Sequence, residues 1–220
     1  ESNINTLDTA VAYGESEEVL GKFIKGSVYE WKIISKFPEC ENNQVGAIVG
    51  ISLKKLNIAK LYGCLIHSFD RYKSDPMIWE RLEKLKAEGK VSKIGFSLYY
   101  PAELEFILKK NLKIDMVQLP FNIFDQRFLS YFSQLEEKGV EVYTRSVFLQ
   151  GLVFKDHKEL DGHFGPIKKK IEELNLLSKE SGIAVFALCL NFALMNNYID
   201  KVLVGVDNLK NFSEIVGVSG

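Results

Sequence analysis

The chain has 220 residues, 46% of them hydrophobic and 26% charged, with 28 Lys+Arg against 29 Asp+Glu for a formal net charge of -1. Such a chain buries roughly 70% of the surface it exposes when unfolded, so it needs no disulfide or metal staple, and a single domain over residues 1–220 is expected. The balanced charge gives no electrostatic drive toward nucleic acid or an anionic membrane, and the longest apolar run, Ile183 to Leu190, is far short of the roughly 20 residues that span a bilayer.

Cys40, Cys64 and Cys189 are odd in number and widely spaced, which reads as reduced thiols in a cytoplasmic protein. The first residues form no signal peptide. Residue 1 is Glu rather than Met, and the native protein is expected to be longer at both ends.

In chain order, Ile4 to Thr9 reads as the first strand, and Ser16 ahead of Glu17 and Glu18 marks the start of a helix. Trp31 to Lys36 is the second strand, followed by a helical stripe of Val45, Ile48, Val49, Leu53 and Leu56. Tyr62 to His67 is the third. Pro76 opens and Gly89 closes the helix before Val91 to Phe96, and Pro101 opens the next. Asp115 to Leu119 precedes a stripe of Phe128, Leu129, Phe132 and Leu135, closed by Gly139. Val140 to Arg145 precedes Ile167, Ile171, Leu174 and Leu177, with Lys168-Lys169-Lys170 as a solvated face, and Val202 to Val206 is the seventh strand.

Strand and helix alternate without a two-residue hairpin signal, which calls for parallel strands joined by right-handed crossovers. No Gly-x-Gly-x-x-Gly follows a strand, which weakens an open dinucleotide-binding sheet. The expected fold is therefore a (β/α)8 TIM barrel, here lacking its first strand and most of its C-terminal helix and loop.

In such a barrel the chemistry gathers at the C-terminal ends of the strands. Asp8, Lys36 and His67 close the first three strands, Arg145 and Ser146 the sixth, and Tyr13 follows Asp8 on the next loop. Each alone is commonly a cap, a packing residue or a hydrogen-bonded core group. Asp8, Tyr13, Lys36 and His67 together, on successive units, point to a shared site, since ionic groups ending apolar strands are costly unless paired. An ammonium beside a phenol favours the phenolate, so Lys36, held by Asp8, would activate Tyr13 while His67 orients a carbonyl oxygen. With no metal-ligand spacing and no nucleophile elbow, carbonyl reduction or alcohol oxidation with a hydride carrier remains. A barrel lyase with Lys36 as a Schiff base is the rival chemistry, opposed by the adjacent Asp8.

Leu7-Asp8-Thr9-Ala10-Val11-Ala12-Tyr13-Gly14, continuing through Ser16-Glu17 to Leu20-Gly21, resembles the aldo-keto reductase signature. Ile34-Ser35-Lys36-Phe37 and Leu65-Ile66-His67-Ser68 are similar to the segments bearing the family's Lys and His, and the likeness runs through Gly89 to Ser97, Val117 to Asn122 and Val202 to Val206. It implies an NAD(P)H-dependent oxidoreductase that reduces an aldehyde or ketone, with Tyr13, Lys36, Asp8 and His67 catalytic. It also implies NADP as cofactor, NAD being left open. Ser97 and Gln118 would hold the nicotinamide carboxamide, Arg145 would replace a stacking aromatic, Ser146 and Gly151 would line the pyrophosphate path, and Gly205, Asn208, Asn211 and Glu214 would serve the adenosine end. Leu98 stands where an Asn commonly completes the carboxamide contacts, and Lys210 is the only cation near the 2'-phosphate segment. A member that binds cofactor in a regulatory role without turnover is the alternative. His157 and His163 with Asp156 and Asp161 read as a surface loop rather than a metal site.

Overall fold

Short apolar runs of up to seven residues become strands because their β-branched side chains pack on both faces of a covered sheet, and the amphipathic stretches between them become the covering helices. The computed structural model describes residues 4–156, 158, 160 and 164–219. Two compact units divide the chain, one built on residues 3–118 with 137–141, the other on 119–136 with 142–220.

In the first unit the chain runs β1 (Thr6–Asp8), α1 (Ser16–Lys25), β2 (Lys32–Phe37), α2 (Val45–Leu56), β3 (Leu61–Ile66), α3 (Phe69–Ser74), α4 (Met77–Ala87), β4 (Val91–Ser97), α5 (Pro101–Lys109) and the start of β5 (Met116–Pro120). Every pairing is parallel between neighbours in sequence, with Asp8 beside Ile34, Lys36 beside Leu65, Leu65 beside Gly95 and Ser97 beside Gln118. This register brings the C-terminal ends of the strands to one rim. Two glycines permit close backbone approach: a Cβ on Gly21 would lie 1.9 Å from the Lys55 carbonyl oxygen of α2, and one on Gly95 1.8 Å from that of Met116. Behind β4, Trp79 stacks on Phe96 at 5.3 Å and 6°, and Phe69 and Tyr72 meet the same ring edge-on.

The second unit holds the end of β5, most of α6 (Phe132–Glu137), β6 (Glu141–Arg145) beyond its first residue, α7 (Gly165–Ser181), α8 (Val185–Leu194), β7 (Lys201–Val202) and α9 (Leu209–Ser219). The Phe121 N–H donates to the Arg145 carbonyl at 3.2 Å, and β6 pairs in parallel with β7. Phe121 packs against Phe132 and Phe192.

Two expectations are corrected. The seventh strand is two residues long. Only Leu203 continues the ladder, its N–H donating to the Thr144 carbonyl at 2.7 Å, because Leu203 to Gly205 then turn to line a cavity. The stripe from Phe128 to Leu135 is a 3-10 turn at Leu129–Tyr131 followed by a six-residue helix. Ser16 is the first residue of α1, as expected, and its hydroxyl accepts from Thr9 Oγ1 at 2.9 Å. Pro101 does open α5, and Gly89 and Gly139 take the left-handed conformation past helix ends. Among the described residues no single helix is long and apolar enough to cross a membrane.

Candidate active site

Lys36 is 1% exposed, and burying an ammonium is tolerable only where acceptors replace water. Its Nζ donates to Asp8 Oδ2 at 2.7 Å and to the Thr9 carbonyl at 2.8 Å. The same Nζ lies 4.9 Å from the centre of the Tyr13 ring, and the His67 ring meets that ring edge-on, 6.1 Å and 85° away. Asp8 comes from the end of β1, Lys36 from β2, His67 from the residue after β3 and Tyr13 from the turn after β1, whose N–H donates to the Ala10 carbonyl at 2.9 Å. Tyr13 is 48% exposed, whereas Lys36 is buried and Asp8 half-buried. Asp8 is held at both oxygens, because Gln118 Nε2 donates to Oδ1 at 2.8 Å. Behind β2, the buried Glu17 accepts from Ser35 Oγ at 2.7 Å and fixes α1 to the strand bearing Lys36. Burial pushes the Cys64 thiol up to about 12, which leaves it no nucleophilic thiolate at neutral pH.

The second unit contains a cavity of about 660 Å³, within the size range of small-molecule sites. One wall is Ser146, Gln150 and Gly151; the other is Gly205, Asn211 and Glu214. Ser146, Leu149 and Gln150 all have positive φ, at 64°, 48° and 55°. Non-glycine residues held there cost about 1 kcal/mol or more each and tend to cluster where a ligand is gripped. Arg145 Nη1 donates to Ser146 Oγ at 3.3 Å, and its charge acts with the direct Arg127 bond to hold Asp125 below the usual carboxylate range, against the effect of burial.

The sequence profile of the Aldo/keto reductase family matches residues 1–219. The chain belongs to the aldo/keto reductase family. Among solved structures it is similar to the holo form of an aldo-keto reductase from Bacillus halodurans, at 24% identity and TM-score 0.83, with 98% of this chain and 77% of that one covered. It is also similar to a glycerol dehydrogenase from Gluconobacter oxydans, at 18% identity and TM-score 0.70, covering 97% and 80%. These likenesses establish the (β/α)8 fold class, of which seven parallel strands are present among the described residues. No curated protein matches.

In this aldo/keto reductase, the structure brings together Asp8, Tyr13, Lys36 and His67 as the sequence predicts. Ser97 ends β4, 2% exposed, and Leu98 is fully buried. Ser146, Gly151, Gly205, Asn211 and Glu214 share one cavity; Asn208 and Arg145 do not line it, Asn208 instead accepting from the Asn211 N–H at 2.9 Å as the cap of α9. His157, Asp161 and His163 lie outside the described residues. The lining offers a dinucleotide two glycines without side chains, hydroxyl and amide donors on Ser146, Gln150 and Asn211 for phosphate oxygens, and the Asp207 and Glu214 carboxylates as acceptors for hydroxyls. Sequence reasoning missed the second role of Gln118 as the partner of Asp8, for which a separation of 110 residues gives no local signal. It also missed Thr9, whose carbonyl completes the ammonium's shell.

Proposed function

We propose that the chain reduces an aldehyde or ketone to the alcohol with a nicotinamide dinucleotide, NADP or NAD, in the cytoplasm. The observation that carries this reading is the buried Lys36 ammonium, held by Asp8 and the Thr9 carbonyl and lying against the Tyr13 ring beside His67. Family membership and three unpaired cysteines support it. When bound, reduced nicotinamide supplies the hydride. Tyr13 gives the proton to the carbonyl oxygen, Lys36 offsets the negative charge left on the phenol oxygen, Asp8 holds Lys36, and His67 donates to the substrate oxygen and aims it. In the first unit Ser97 and the remaining amide capacity of Gln118 are assigned the carboxamide. In the second, Ser146, Gly151 and Gly205 are assigned the phosphates, and Asn211 and Glu214 the adenosine. Arg145 and Asn208 are supporting residues beside this group.

Tyr13→Phe tests the assignment: aldehyde turnover should fall about 100- to 10,000-fold with cofactor affinity kept, and unchanged turnover would defeat it. The fully buried Leu98, which offers no polar side chain next to Ser97, favours the second reading, a cofactor-binding protein without turnover. Binding of cofactor to the wild-type chain with no oxidation across an aldehyde and ketone panel would establish that reading instead.

A further inference from the structure

The cavity of the second unit carries a charge pattern that distinguishes the two forms of the cofactor. Among the described residues its ionisable lining is Asp207 and Glu214, and no Lys, Arg or His lines it. Lys210, one turn before Glu214 on α9, is 84% exposed with its ammonium 4.0 Å from Glu214 Oε1. Its charge is therefore screened by water and turned to a carboxylate. The first N–H groups of α9 are a second source of positive potential; of these the Asn211 N–H is taken up by Asn208 Oδ1 at 2.9 Å, and the Phe212 N–H that follows donates to the Asn208 carbonyl at 3.1 Å.

A ribose with free 2'- and 3'-hydroxyls brings O–H donors, which carboxylates accept. A 2'-phosphate brings roughly 1.5 to 2 negative charges and acceptor oxygens, which a wall of carboxylates without a cation repels. We propose that this cavity takes the unphosphorylated adenosine of NAD(H) and rejects the 2'-phosphate of NADP(H), with Asp207 and Glu214 as the discriminating residues. The proposal rests on the assignment of this cavity to the adenosine end.

Calorimetric titration of the full chain with NADH, NADPH, 5'-AMP and 2',5'-ADP tests it by binding alone, whatever the turnover. NADH and 5'-AMP should bind about tenfold or more tightly than their 2'-phosphorylated counterparts, with the gap narrowing as salt is raised. Asp207→Arg should close or reverse the gap, and the milder Asp207→Asn should narrow it; Asp207 is exposed, so neither change disturbs packing. Equal affinities, or tighter binding of the phosphorylated pair, would overturn the proposal and leave the cavity assignment standing. Failure of all four ligands to bind would remove both.

Discussion

A strand-end lysine in an apolar segment is an anomaly in sequence, and its resolution is local: Asp8 is 28 residues away but one strand over, and the parallel register makes the two meet. That much was legible, because the cost of an unpaired buried charge demands a partner and Asp8 was the obvious acidic candidate at the same rim. Gln118 was legible as a polar residue in an apolar strand but not as the second holder of Asp8, since nothing local marks that bond. A buried hydroxyl of the opposite kind lies at Thr144, fully buried, whose Oγ1 has no hydrogen-bond partner. Leaving a polar atom unsatisfied is unfavourable by about 1 kcal/mol or more. Thr144→Val should therefore leave thermal stability unchanged or raise it by about 1 kcal/mol, measured by circular dichroism; a clear loss would mean the hydroxyl is paired after all.

At the scale of elements, the Leu20-Gly21 pair at the end of the first signature has a mechanical explanation. Gly21 sits where α1 crosses the last turn of α2, and the Lys55 carbonyl occupies the place of a side chain. Gly21→Ala should lower stability by about 1–3 kcal/mol, the usual loss on overpacking, read as a lower urea midpoint with unchanged slope; a midpoint matching the wild type would show that the helices separate freely. The ends of elements were the least legible part. Val202 to Val206 has the composition of a strand, yet composition does not reveal whether a neighbouring strand reaches far enough to pair, and the run leaves the ladder after Leu203. The left-handed turn at 146–151 was equally hidden, because Ser, Leu and Gln carry no signature for positive φ and only Gly151 hints at it.

For the molecule as a whole, the near-zero net charge conceals local concentration. At the N-terminal ends of the strands in the first unit, Tyr62 Oη donates to Glu141 at 2.8 Å, Lys93 pairs with Glu141, and Lys32 lies over the Tyr62 ring. Burial pushes the Tyr62 phenol above its ordinary value, reinforced by the Glu141 bond, and burial alone raises Tyr72. Lys93 is pulled down by burial but is held above its usual range by Glu141 and Tyr62. In each case the folded protein keeps a proton that the unfolded chain has released, so stability falls as pH rises past about 10. The thermal midpoint should drop between pH 9 and 11, and Tyr62→Phe should flatten that decline. An identical slope in the variant would remove the cluster from the account. The family and fold were legible because motif order survives in sequence, whereas the lining of the second unit's cavity is drawn from the segments after β6 and β7 and from α8 and α9, which no single motif contains.

The stacking of Trp79 on Phe96 has a practical consequence. The chain has two tryptophans, and Trp31 and Trp79 both fall in the first unit. The indoles thus lie in that half alone: Trp79, 5% exposed, emits from an apolar setting, while Trp31, tethered to Ser27 at 2.8 Å beside Phe23 and Tyr29, is half-buried and more accessible to aqueous quenchers. The half that carries the cavity holds no tryptophan of its own, and one introduced beside α9 would supply it with a direct probe.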